Sequence, residues 1–161
     1  MKIKFINIMM KLCVLLFLGS IKFSYSSFDN NSDKPIFSGN EISDFNGDGL
    51  EDKLYYKCYR GDGKGGLPYC TINIVTKQKN YQFTTIFIWE PIIASCGKGC
   101  LSITDDITKN QEMYTTEYKY NKELDNWIRV SYELLTPDNK ATDLLTQEEK
   151  KQIIGIDGKE Y

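Results

Sequence analysis

The sequence predicts a mainly β protein, an antiparallel meander of six or seven strands with one calcium-binding loop and a short C-terminal helix. From Lys53 onward, apolar and polar residues alternate with a period of two, which is typical of strands that bury one face. The alternating segments are rich in β-branched and aromatic residues, and polar or glycine-rich turns separate them. A helix signal is found near the end of the chain.

Residues 1–26 have the features of a secretory signal peptide: four lysines, no acidic residue, and an apolar centre followed by small residues. Only ten residues separate Lys11 from Lys22. A membrane-spanning helix needs about 20 apolar residues, so an anchor is disfavoured. We predict cleavage at the end of this segment and a periplasmic or secreted protein. A polar leader follows over 27–34, and a single domain is expected over 35–161.

Residues 44–52, called the 44–52 loop below, follow the pattern D-x-N-x-D-G-x-x-D. Calcium prefers about six to eight oxygen ligands, and a tight loop can supply them from alternate positions. Three carboxylates this close repel one another without a cation, and Gly49 permits a sharp bend. We predict a Ca²⁺ site with five ligands, the fourth through its backbone carbonyl: Asp44, Asn46, Asp48, Leu50 and Asp52. The alternative is an ordinary Asx/Gly turn.

The twelfth position of this pattern is Tyr55, where an EF-hand has a glutamate on an exiting helix, and a predicted strand follows here. The loop therefore resembles the FG-GAP or integrin-type calcium loop. Over residues 44–135 the chain is similar to small periplasmic bacterial proteins with a single loop of this type, which continue with hairpins, a cysteine pair and a closing hairpin containing Trp127. Some of these act as immunity or inhibitor proteins of peptidoglycan hydrolases, and the resemblance implies such a function.

Six strand-like segments follow the loop, and a polar hairpin loop over 121–126 connects the last two. After the segment that begins at Lys53, they cover residues 69–76, 80–89, 101–104, 113–120 and 127–135. A helix is predicted over about 146–154, because Thr146 and Glu149 form a capping-box pattern and Gly155 is a typical stop.

Four cysteines follow the predicted cleavage point, an even number in an oxidising compartment, and they predict two disulfides. Three pairings are possible. We favour the local one, which joins Cys58 to Cys70 across a hairpin and Cys96 to Cys100. A zinc site and a redox-active pair are the alternatives, but the spacings fit zinc ribbons and redox motifs poorly.

Amino-acid composition and net charge exclude some classes of functional site and disfavour some classes of partner. The chain has no histidine, which excludes Ser–His and Cys–His nucleophiles and imidazole metal ligands. Removing the four lysines of the signal peptide from the 20 basic residues leaves 16 against 22 acidic residues, a net charge of −6. An acidic surface argues against nucleic acid and anionic membranes as partners, and it suits a basic protein.

We therefore expect an exported calcium-binding β protein that is not an enzyme. It would bind another protein, as an immunity or inhibitor protein against a cell-wall hydrolase, with no nucleic-acid partner and no stable membrane insertion after cleavage. The alternative is a carbohydrate-binding or adhesive module of the envelope, with Trp89, Trp127 and tyrosines stacking on sugars. A third class, a glycosidase using Glu90, Asp105 and Asp106, is disfavoured because adjacent strand residues point to opposite faces.

Overall fold

The computed structural model describes residues 34–63, 66–107, 111–138 and 140–161, and within them nine strands form two antiparallel sheets. The predicted signal peptide and the leader up to residue 33 lie outside the described residues. The first sheet contains, in spatial order, β1 (Phe37–Ser43), β2 (Asp52–Gly63), β3 (Leu67–Val75) and β4 (Asn80–Ile86). The second contains β5 (Pro91–Gly97), β6 (Cys100–Ile107), β7 (Glu112–Asn121), β8 (Asn126–Leu135) and β9 (Ala141–Asp143). The predicted mainly β, antiparallel class is confirmed.

Each strand of the first sheet pairs with the next one along the chain, and the alternation of the sequence decides which face is buried. Leu54 on β2 lies opposite Ile74 on β3, and both are fully buried on the inner face. Gly39 on β1 lies opposite Tyr56 on the same face. A Cβ atom at Gly39 would lie 2.5 Å from the Tyr56 ring, so glycine leaves the space that this ring occupies.

The inner faces of the two sheets pack against each other and form the hydrophobic core. Trp127 on β8 is fully buried, and its ring centroid lies 4.9 Å from those of Tyr81 and Tyr120 and 5.6 Å from that of Phe83. Aromatic pairs in such tilted and edge-to-face arrangements add to the stabilisation from buried area. The other large buried side chains of the core are Phe45, Leu54, Ile72, Ile74, Phe87, Ile93, Leu101 and Ile156.

Asp125, in the predicted hairpin loop between β7 and β8, links the two sheets at the surface. Its carboxylate accepts hydrogen bonds from Lys79 Nζ at 2.5 Å and from the hydroxyls of Tyr81 and Tyr120 at 2.5 and 2.7 Å. These three donors, with Lys79 the largest contributor, lower the pKa of Asp125 to about 2. The carboxylate therefore stays charged at neutral pH and holds β4 next to β7.

The strand number differs from the predicted six or seven, because β1, β5 and β9 lack an apolar alternation. β1 has Gly39 and Glu41 at inward positions, and β9 consists of three exposed residues. β5 begins with Pro91 at the edge of its sheet, where a missing N–H breaks no ladder. The prediction of one meander is also wrong, since β4 and β5 do not pair and the strands divide into two sheets.

The predicted helix over 146–154 is wrong in extent, because the structure has a 3₁₀ helix of three residues there, Glu149–Lys151. The capping-box contact is formed, since Thr146 Oγ1 accepts the first N–H of this helix at 3.1 Å. The chain then becomes extended because it pairs with β8, where Gly155 forms a bridge with Ile128. None of the helices among the described residues is long and apolar enough to cross a membrane.

Candidate metal centre

The 44–52 loop connects β1 to β2 and lies against the second sheet. Phe45 is fully buried in the core, and its carbonyl accepts the indole N–H of Trp127 at 2.8 Å. The carbonyl of Asp44 accepts the N–H of Gly99, in the turn between β5 and β6, at 2.8 Å. Two backbone carbonyls of the loop are therefore tied to the second sheet, so the conformation of the loop and the packing of the sheets depend on each other.

The polar side chains of the loop fold back onto its own backbone. Asn46 Oδ1 accepts the N–H of Asp48 at 3.0 Å, and Asp48 Oδ1 accepts the N–H of Leu50 at 2.8 Å. Asp44 Oδ2 accepts the N–H of Gly49 at 2.9 Å, and the φ of Gly49, +89°, suits glycine. Bonds of this kind also occur in Asx turns, so they do not by themselves indicate a metal.

Asp52 is the fully buried acidic residue of the loop. Its Oδ2 accepts the N–H groups of Phe45 and Asn46 at 3.0 and 3.2 Å, whereas its Oδ1 has no partner. Burial raises the pKa of Asp52, the two backbone hydrogen bonds oppose this shift, and the charges of Asp48 and Asp44 add to it. The loop thus holds a carboxylate in a place where its negative charge is poorly compensated.

Two carboxylate oxygens of the loop are buried without any hydrogen-bond donor: Asp44 Oδ1 and Asp52 Oδ1. No other buried side-chain nitrogen or oxygen among the described residues lacks a partner. Leaving such an atom unsatisfied costs on the order of 1–3 kcal/mol, and more when the group is charged. Both atoms belong to predicted calcium ligands, and carboxylate oxygens are the ligands that a hard cation such as calcium prefers.

The carboxylates of the loop are not gathered around one point. Asp44, Asp48 and Asp52 do not form a group whose oxygens all lie within 4.8 Å of one another. This spacing agrees with repulsion between like charges. Lys98 gives partial compensation, since its Nζ lies 3.8 Å from Asp44 Oδ2 on an exposed side chain. The loop fits calcium in the type and order of its oxygen ligands, and the calcium assignment stays a prediction.

All four cysteines after residue 26 are in disulfides, with the local pairing that the sequence favoured. Cys58 and Cys70 face each other across β2 and β3 with Cα atoms 3.9 Å apart, and Cys96 and Cys100 close the turn between β5 and β6. Glu117 lies near the sulfurs of the second pair. Sulfurs joined in a disulfide are not thiolates, so this group does not offer a zinc site in the oxidised protein.

The residues predicted to stack on sugars are not brought together. Trp127 lies in the core, whereas Trp89 is 38% exposed in the link between β4 and β5. Asp105 accepts the N–H groups of Ile88 and Trp89 at 3.2 and 3.3 Å, and burial raises the pKa of this carboxyl. Asp105 therefore fixes the link after β4. The side chain of Asp106 lies outside the described part of the chain.

A groove of about 530 Å³ opens between the inner faces of the sheets, at the end farthest from the 44–52 loop. The sequence did not predict this groove. The pattern that could have indicated it is Tyr114-x-Thr116-x-Tyr118, which places two tyrosines and a threonine on one face of β7. Other residues that line the groove are Thr85, Ile86, Ile88, Asp105, Arg129 and Tyr132.

Comparisons of the chain with protein-family models, with curated proteins and with solved structures find no match. The resemblance to periplasmic proteins with a single calcium loop therefore stays a prediction.

Proposed function

We propose that the chain is an exported binding protein whose fold is stabilised by one calcium ion in the 44–52 loop. The observation that carries the calcium site is the pair of buried, unpartnered oxygens, Asp44 Oδ1 and Asp52 Oδ1. The remaining ligands would be Asn46, Asp48 and the carbonyl of Leu50. A bound ion would supply a positively charged partner to these two buried oxygens.

The role we propose for the ion is structural. The loop that would hold it also contributes the Phe45 carbonyl to Trp127 and the Asp44 carbonyl to Gly99. Fixing the loop therefore fixes two contacts between the sheets. A bound calcium ion would stabilise the fold by ordering the loop. The surfaces that contact a partner would lie elsewhere on the molecule.

We expect the protein to melt at a higher temperature with Ca²⁺ than with a chelator. An ion that binds only the native state stabilises it by about 2.7 kcal/mol at 100 times its Kd. Asp48→Ala removes a predicted ligand from an exposed position, so this variant should gain no stability from added calcium. Scanning calorimetry of both proteins in CaCl₂ and in EDTA measures the effect.

The matched control is Asp138→Ala, which removes an exposed carboxylate outside the loop and should keep the full calcium response. The calcium site is contradicted if the melting temperature of the wild type does not depend on calcium. It is equally contradicted if Asp48→Ala responds to calcium as the wild type does.

The proposed mode of action is binding to a basic protein, and a cell-wall hydrolase is the partner that the sequence resemblance implies. Exposed apolar side chains support this mode: Ile88 is 73% exposed in the link after β4, and Ile86, Trp89 and Ile92, which are close to it along the chain, are also exposed. Exposed apolar patches often mark protein interaction sites. The net charge of −6 expected after cleavage would speed the encounter with a basic partner.

The test is binding of the exported protein to purified candidate cell-wall hydrolases of the same organism, scored by inhibition of lysis and by affinity. We expect Ile88→Asp to weaken a complex by at least about tenfold, because a charge would be desolvated at the interface. Ile42→Asp is the matched control. Ile42 is 60% exposed near the last residue of β1. Phe37, the first residue of β1, packs against Phe87 next to the link after β4, so Ile42 lies at the other end of the strand from this link.

High salt should slow association, since exposed charges are screened over about 8–10 Å at physiological ionic strength. If no candidate is bound or inhibited, the proposed partner class is wrong. If Ile42→Asp weakens the complex as much as Ile88→Asp does, the proposed surface is wrong.

A further inference from the structure

The groove is a part of the inner surface of the second sheet that the first sheet does not cover. Along β7 the inward positions pass from Tyr120, which packs on Trp127 in the core, to Tyr118, Thr116 and Tyr114, which line the groove. The opposite wall comes from the end of β4 and the link that Asp105 fixes. A concave site whose lining combines apolar and aromatic side chains with a few polar groups is typical of ligand sites.

Arg129 contributes the positive charge of this groove. It lies opposite Tyr118 in the ladder between β7 and β8. In the part of the chain that the structure describes, Arg129 forms no salt bridge. Both oxygens of the Asp105 carboxylate accept backbone N–H groups, and Glu149 Oε2 accepts the N–H and hydroxyl of Thr146. The guanidinium therefore remains available for an anionic group, which it can hold with two hydrogen bonds.

The tyrosines supply ring faces and hydroxyl donors beside this charge. The rings of Tyr114 and Tyr132 lie 6.2 Å apart between centroids, tilted by 31°. Burial raises the pKa of Tyr118 and of Tyr132, so both hydroxyls are protonated at neutral pH and can donate. Thr116 adds a further hydroxyl to the lining. Flat aromatic faces next to several hydroxyl groups suit a ligand with apolar C–H faces and many polar atoms.

We propose that this groove binds a saccharide that carries a carboxylate, with the carboxylate on Arg129 and a sugar ring against the tyrosines. A neutral saccharide would leave the guanidinium without a partner, and a purely apolar ligand would leave the hydroxyl groups unpaired. The proposed anchors, Arg129 and the tyrosines of β7 and β8, belong neither to the calcium site nor to the apolar side chains proposed to contact a protein partner, although Ile86 and Ile88 of that surface also line the groove.

The test is isothermal titration calorimetry of the full exported protein in calcium-containing buffer with three carboxylate-bearing probes. They are a hyaluronan tetrasaccharide, tetragalacturonate and sialyllactose, each compared with its form in which the carboxylates are reduced to alcohols. We expect at least one probe to bind, and its reduced form to bind at least about tenfold more weakly, as the loss of a charge-assisted hydrogen bond predicts. This comparison changes the ligand alone, so it does not depend on the folding of a variant.

The protein-side variant is Arg129→Gln, which removes the charge and keeps most of the side-chain length. It should weaken the binding of the acidic probe at least about tenfold and leave the binding of the reduced probe unchanged. Lys119→Gln is the control, since it removes a charge from an exposed position on the same sheet. Tyr132→Phe, which removes one hydroxyl only, should give a smaller loss.

The proposal is overturned if none of the three probes binds at concentrations up to about 1 mM. It is also overturned if the reduced forms bind as well as the acidic ones, or if Arg129→Gln and Lys119→Gln have equal effects. Ile86 and Ile88 line the groove and also belong to the proposed protein surface. The comparison of acidic with reduced probes is made without a protein partner, so it separates the outcome for the saccharide from the outcome for the protein.

Discussion

The Trp127→Ala variant will have a free energy of unfolding about 3–5 kcal/mol below that of the wild type, the usual cost of truncating a fully buried large aromatic side chain. The ring contacts Tyr81, Phe83 and Tyr120, so its removal leaves a cavity where the two sheets meet. The variant also loses the N–H that the buried carbonyl of Phe45 accepts. Urea unfolding followed by circular dichroism measures this loss without relying on tryptophan fluorescence.

Two further variants separate packing from hydrogen bonding. Trp127→Phe keeps most of the ring but leaves the Phe45 carbonyl unpaired, so it should cost about 1–3 kcal/mol. Trp89→Ala truncates the other tryptophan, which is partly exposed, and should cost less than about 1 kcal/mol. Equal losses for Trp127→Ala and Trp89→Ala would contradict the position of Trp127 at the centre of the core.

Removing the disulfide between Cys58 and Cys70 should lower the free energy of unfolding by about 3 kcal/mol, whereas removing the one between Cys96 and Cys100 should cost about 2 kcal/mol. The difference follows from the chain-entropy model, because the two links close loops with sequence separations of 12 and 4 residues. The first pair is also more deeply buried. The variants to compare are the double substitutions Cys58→Ala/Cys70→Ala and Cys96→Ala/Cys100→Ala.

Peptide mapping under non-reducing conditions is the control for these variants, and it should recover the two local pairs in the wild type. A peptide that joins Cys70 to Cys96 would show that the pairing is wrong. If removal of the short link costs more than removal of the long one, loop closure does not account for their contributions.

The strands that the sequence predicts are those in which an apolar pattern and a buried face coincide. β2 and β3 show Leu54 and Ile74 on the inner face at alternate positions, and both strands are present in the structure. β1 could not be predicted in this way, because its inward positions include Gly39, which makes room for Tyr56. The prediction of a longer C-terminal helix is wrong for a different reason. Pairing of the segment around Gly155 with β8 outweighs the capping signal of Thr146.

The 44–52 loop could be identified from the sequence because its polar residues are close together along the chain. The tyrosine pattern of β7 indicates one wall of the groove, but the placement of Arg129 and Tyr132 could not be predicted, because a β-bulge near Tyr118 shifts the pairing of β7 with β8. Thr116 pairs with Tyr132, and two residues further on Tyr118 pairs with Arg129. In a regular strand, Arg129 and Tyr132 would lie on opposite faces, and the bulge brings both to the groove.

Within each sheet every strand pairs with the next one along the chain, and this connectivity has a consequence for the order of folding. Each of these strand pairings joins residues that are close along the chain, so its formation costs little loop-closure entropy. A polypeptide that emerges N-terminus first contains all strands of the first sheet once residue 86 has appeared. The contact between Phe45 and Trp127 spans 82 positions. Docking of the sheets therefore closes longer loops than strand pairing does, and it is complete only when β8 has joined.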